Sequence, residues 1–126
     1  PDRTVTNGAI ELDYPGSIVT VGLRYTASMM TLPAYSPPQV GGLGASKSWS
    51  QIGVRLLDSP NPLINGVRVE ERHPATDMDR PEPGTTGQVT MVETGYDEYG
   101  RILIEQDLPL PLTVTGVFGQ LSVEDL

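Results

Sequence analysis

The sequence contains no cysteine, so no disulfide staples the fold and no thiol serves as nucleophile or metal ligand. It has one lysine, Lys47, and one histidine, His73. Sixteen acidic residues stand against eight basic ones, for a net charge of −8. A protein that grips nucleic acid presents a basic stripe to neutralise phosphates, and no such stripe exists here. The same acidity repels an anionic membrane surface, and no apolar run approaches the ~20 residues of a membrane helix. Residues 1–13 have no basic start followed by an apolar stretch, so they do not read as a signal peptide. The chain begins at Pro1 and is read as a piece of a longer one.

Long helices are also missing from the pattern. Fourteen glycines and twelve prolines are spread along 126 residues, a density that few helices survive. Between them lie short segments rich in Val, Ile and Thr with period-two alternation. Asn7-Gly8 is a hairpin-turn signal, and Tyr14-Pro15-Gly16 is the next turn. Residues 17–25 read as a strand with Val19, Val21, Leu23 and Tyr25 on one face, and 28–32 continue extended to Pro33. Residues 33–48 are a long loop, followed by a strong strand over 49–57 in which Ile52, Val54 and Leu56 alternate with Gln51, Gly53 and Arg55. A turn at 58–62 leads to a strand over 63–71 broken at Asn65-Gly66. Residues 72–87 form a second long loop. Strands at 88–96 and 101–106 flank a tight turn at 97–100 and are expected to pair as a hairpin. Residues 107–111 interrupt, and 112–121 are the last strand. The sum is seven or eight short strands: an all-β fold, a single antiparallel β-sandwich or small barrel-like domain over 1–126 with long Pro/Gly-rich loops.

The search for chemistry yields little. A Ser-His-Asp or Cys-His arrangement needs His73, which precedes Pro74 in a polar loop and has no G-x-S-x-G element with it; it reads as a solvated loop histidine. Glu70, Glu71, His73, Asp77 and Asp79 are the densest cluster of candidate metal ligands, but their spacing matches neither an EF-hand nor a zinc signature. The neighbouring pairs Glu70/Glu71 and Asp97/Glu98 point to opposite faces if they lie on strands, unlike facing glycosidase carboxyls. Gly41-Gly42-Leu43-Gly44 lacks the Lys-Ser/Thr ending of a phosphate-binding loop. The expectation is therefore no catalytic residue, no metal and no cofactor. Trp49, Tyr96 and Tyr99 are interface or sugar-stacking candidates, with core or strand-edge packing as the plainer role.

Two segments carry a resemblance. The first is V-G-L-R-Y-T-A-S-M-M-T-L-P, residues 21–33, which includes Val21, Gly22, Leu23, Tyr25, Thr31, Leu32 and Pro33. The second is R-I-L-I-E-Q-D-L-P-L-P-L-T-V, residues 101–114, which includes Ile104, Glu105, Gln106, Pro109 and Leu110. Between them lie V-R-L-L-D-S at 54–59 and the pair Thr86-Gly87. In this order, over roughly residues 18–118, they resemble the C-terminal part of the tail nozzle, or tail tubular, proteins of short-tailed bacteriophages. The family often has a basic stretch after the glycine loop, where this chain has only Lys47.

The resemblance implies a structural, non-enzymatic component of the virion tail: a hexameric ring forming the DNA exit channel, with an adaptor protein and tail fibres as further partners. DNA would pass through without tight binding, and an acidic wall would suit that passage. No membrane insertion is expected. Within the motifs, Val21, Leu23 and Tyr25 are expected to pack one sheet face and Gly22 to permit close backbone approach. Ile102 and Ile104 are expected to face the core, Glu105 and Gln106 to lead outward, and the L-P-L-P run to form an extended edge or connector. The alternative is a host-surface or glycan-binding module, which needs Trp49, Tyr96 or Tyr99 exposed together on a concave patch.

Overall fold

Alternation along one strand organises the molecule. Ile52, Val54 and Leu56 are buried while Gln51 and Arg55 are exposed, as period-two geometry requires of a strand with one face on the core. In the computed structural model, which describes residues 3–35, 45–69, 84–92 and 95–124, this strand is β2 (Lys47–Ser59), the longest element at 13 residues. Its companions are β1 (Ala27–Met30), β3 (Leu63–Ile64), β4 (Val67–Arg68), β5 (Thr85–Val92), β6 (Leu103–Gln106) and β7 (Val114–Val123). The fold is all-β, and no helix is present among the described residues.

Two antiparallel sheets result, one ordered β1-β6-β3-β4 and the other β5-β2-β7. The buried cluster draws Ile52, Val54 and Leu56 from the second sheet and Ile64 and Ile104 from the first, so both sheets share one core. Fully burying a side chain of this size contributes roughly 1.5–3 kcal/mol.

The turns follow their residues. Asn65 and Gly66 have φ of 49° and 78°, the pair of positive values that closes a two-residue hairpin between β3 and β4. Asn65 also exchanges hydrogen bonds with Leu103: its N–H donates to the Leu103 carbonyl and its Oδ1 accepts from the Leu103 N–H, both at 2.8 Å. Asn7-Gly8 forms the same kind of turn, with Thr6 and Ala9 exchanging backbone hydrogen bonds at 2.9 and 3.0 Å. In the turn at 97–100, Asp97 Oδ2 accepts from the N–H groups of Tyr99 and Gly100, and Gly100 takes φ of 56°.

Several expectations from the sequence are corrected. Residues 17–25 form no strand and pair with nothing as a ladder; Leu23 is 92% exposed and Val21 66%. Alternation marks a segment fit for a sheet, and it reads the same whether or not its own chain supplies the sheet. The hairpin expected between 88–96 and 101–106 does not form: β5 pairs with β2, and β6 pairs with β1 and β3. The short turn suggested local pairing, but β5 and β6 belong to different sheets. The second long loop ends earlier than expected, because β5 begins at Thr85. Gln106 does not lead outward; it shares the face of Ile104 two residues earlier and is fully buried. The L-P-L-P run is bent, with the Leu110 N–H donating to the Leu108 carbonyl at 2.7 Å. Residues 70–83, which hold His73 and the Glu70, Glu71, Asp77 and Asp79 cluster, and the glycine run at 41–44 lie outside the described residues.

Candidate functional site

The segments quoted above for the resemblance are distant in sequence and adjacent in space. β1 pairs with β6 in the register Ala27↔Gln106, Ser28↔Glu105, Met29↔Ile104 and Met30↔Leu103. Beyond one end of this ladder, Thr31 and Ile102 continue the contact. The Thr31 N–H donates to the Ile102 carbonyl, and Thr31 Oγ1 accepts from the Ile102 N–H, each at 2.9 Å. Beyond the other end, the Tyr25 hydroxyl donates to the Leu110 carbonyl at 2.5 Å. Gly22 lies against Pro109, and a Cβ at Gly22 would stand 2.6 Å from the Pro109 ring. The neighbour of Gly22 is thus a proline ring, and not the backbone of an adjoining strand as expected.

The middle motif joins the same region through β2. Ser59 Oγ donates to the Leu57 carbonyl at 2.8 Å and accepts from the Thr113 N–H at 2.7 Å. Thr86 Oγ1 accepts from the Asp58 N–H at 3.0 Å, and Gly87, opposite Leu56, takes φ of 135°. Buried Gln106 donates from Nε2 to the Pro60 carbonyl at 2.8 Å and accepts at Oε1 from the Leu108 N–H at 3.2 Å. It ties the end of β6 to the turn after β2. Ile104 is in the core, Glu105 is half-buried, and Pro109 and Leu110 are half-buried on the bent run.

An open surface cleft of about 380 Å³ lies between β7 and the chain that follows β1. Leu32, Tyr35 and Trp49 line it together with Val117, Gly119 and Leu121. Leu32 is 86% exposed at its lip, beside half-buried Pro33. Of the aromatic candidates, only Trp49 lines this cleft. Its indole N–H donates to the Gly100 carbonyl at 2.8 Å, which fixes the ring. Tyr99 stacks under the Arg101 guanidinium at 4.7 Å, and Tyr96 is exposed outside the cleft. Tyr35 was missed in the sequence because it sits in a stretch with loop composition.

Arg68 and Lys47 tie together parts of the fold that are distant in sequence. Arg68 Nη2 donates to both carboxylate oxygens of Asp107, at 2.7 and 2.9 Å, and Nη1 donates to the Asn61 carbonyl at 2.8 Å. The Arg68 hydrogen bonds hold the Asp107 carboxyl below its ordinary pKa of 3.8, against the opposing effect of burial. Lys47, the single lysine, is buried and donates from Nζ to the carbonyls of Ala45 and Glu98 at 2.8 and 3.0 Å. Its β-bridge to Asp97 joins the start of β2 to the 97–100 turn. Among the described residues, no three acidic or imidazole side chains gather as a metal site.

A scan of protein-family models returns no match, and a search of curated proteins finds no similar sequence.

Proposed function

We propose that this chain is a non-catalytic structural domain of a bacteriophage tail, part of a nozzle ring around the DNA exit channel. One observation carries the reading. The segments of the resemblance, residues 21–33, 54–59, 86–87 and 101–114, are threaded together by Tyr25–Leu110, Ser28↔Glu105, Asp58–Thr86 and Ser59–Thr113. Motifs scattered over the chain that serve one shared scaffold are what a structural family preserves, whereas an enzyme gathers reactive groups. The partners on this reading are other copies of the chain, an adaptor protein and tail fibres. The net charge of −8 suits a wall past which DNA slides without sticking.

The test is cryo-electron microscopy of virions that carry this sequence, with the fold placed in the tail density. Six copies in a ring around an axial channel are expected. Density at a peripheral fibre or spike would overturn the ring assignment and favour a host-surface or glycan-binding module.

A further inference from the structure

The chain has three asparagines, Asn7, Asn61 and Asn65, and two of them stand before glycine. The side-chain amide of an asparagine is open to attack by the backbone nitrogen of the next residue. Glycine in that place obstructs the approach least, because it has no Cβ. We propose that Asn7 is a site of spontaneous deamidation in the folded protein, and that the fold protects Asn65, its counterpart in sequence and in turn geometry.

The chemistry needs only water. The Gly8 nitrogen gives up its proton and bonds to Asn7 Cγ. The Cγ–Nδ2 bond breaks and the amide leaves as ammonia. Water then opens the cyclic imide at either carbonyl. One opening gives aspartate; the other gives isoaspartate, in which the main chain runs through the side chain. The net change is one water consumed and one ammonia released. Asn61 cannot follow this route, because Pro62 has no N–H to lose.

Both Asn-Gly pairs occupy the same kind of turn. φ is 52° and 76° at Asn7 and Gly8, and 49° and 78° at Asn65 and Gly66. At both glycines the space where a side chain would stand is open. The difference lies in what holds the asparagine. Ring closure requires the side chain to swing Cγ onto the following nitrogen. Asn65 Oδ1 accepts from the Leu103 N–H, and the Asn65 N–H donates to the Leu103 carbonyl, both at 2.8 Å. Swinging that amide away strands the part-buried Leu103 N–H, and twisting the turn disturbs the pairing of β3 with β4 and β6.

Asn7 is in the opposite position. Residues 3–9 are exposed, and the Thr6–Ala9 contact that closes its turn is an isolated bridge. A turn closed in this way frays at low cost, so its asparagine reaches the reactive geometry often. Reaction at Asn7 adds a carboxylate to the segment between Arg3 and Asp13, whose side chains pair, and leaves both sheets intact. The inference does not rest on the tail reading.

The 126-residue chain is incubated in mildly alkaline buffer at physiological temperature, sampled over weeks and digested with trypsin. Peptide Thr4–Arg24 reports on Asn7, and fragmentation of Leu56–Arg68 separates Asn61 from Asn65. The mass gain of amide-to-acid exchange, split between aspartate and isoaspartate forms, is expected at Asn7 at least about tenfold faster than at Asn65. In concentrated urea, where the Leu103 bonds are gone, the difference should collapse, with Asn61 unreactive throughout. Equal rates in the folded chain, a faster Asn65, an unreactive Asn7, or a difference that persists undiminished in urea would overturn the proposal.

Discussion

The Tyr25 hydroxyl donates a 2.5 Å hydrogen bond to the carbonyl of Leu110, 85 residues away in sequence. Gly22 against the Pro109 ring is a second contact of the N-terminal arm with the same run. β1 is held by a ladder from residue 27 onward, whereas residues 17–25 have no ladder and meet the 107–110 run through side chains. Without a ladder the arm is the less protected part of this junction, and its protease sensitivity reports on the junction.

Tyr25→Phe removes the bond and keeps the ring. The site is partly exposed, so a loss of about 0.5–1 kcal/mol is expected at the junction, with little change in the melting of the core. Limited trypsin digestion checks it: cleavage after Arg24 should quicken several-fold, while cleavage after Arg55, within β2, should not change.

Gly119→Ala and Gly53→Ala separate rigid from yielding neighbours. A Cβ at Gly119 meets the backbone carbonyl of Gln51 and the Trp49 ring, neither of which moves freely, because Trp49 is tied to Gly100. A Cβ at Gly53 meets the Phe118 ring, which is 45% exposed and swings outward. Gly119→Ala should cost about 2–3 kcal/mol and Gly53→Ala about 1 kcal/mol, read from urea unfolding midpoints at constant slope.

Gln106→Ala should destabilise by about 2–3 kcal/mol, because it strands the Pro60 carbonyl and the Leu108 N–H where Gln106 now excludes water. Glu105→Ala, next to it on the other strand face, should cost under about 0.5 kcal/mol. Equal costs at the two positions would contradict the burial of Gln106.

Asp107 gives the chain a pH dependence of definite sign. Its carboxyl titrates below 3.8 in the folded state because Arg68 hydrogen-bonds the anion. The stabilisation is thus present above the unfolded pKa and is lost as pH falls through the lower folded one. Both partners are partly exposed, so the effect is modest, of order 1 kcal/mol or less. Asp107→Asn should flatten the fall in stability on acidification below about pH 5 in thermal melts and leave the profile's shape near pH 7 unchanged.

What the sequence determined by itself is local and periodic. The alternation of Ile52, Val54 and Leu56 made β2 legible, and Asn7-Gly8, Asn65-Gly66 and Gly100 marked turns because few other residues adopt positive φ without strain. The density of proline and glycine excluded long helices, and the sum of short strands pointed to an all-β fold. Gln106 was expected to lead outward and is buried instead, although its place two residues from Ile104 puts it on the same strand face. Only the tertiary structure decided which strands pair. A short turn at 97–100 suggested that 88–96 and 101–106 form a hairpin, yet β5 joins β2 and β6 joins β1, because strand partners are chosen by the burial of whole faces and not by loop length. It alone brought Tyr25 to Leu110 and opened the cleft beside Trp49. It alone left residues 17–25 without a ladder, since alternation encodes a readiness to pair and carries no information about whose edge completes the sheet.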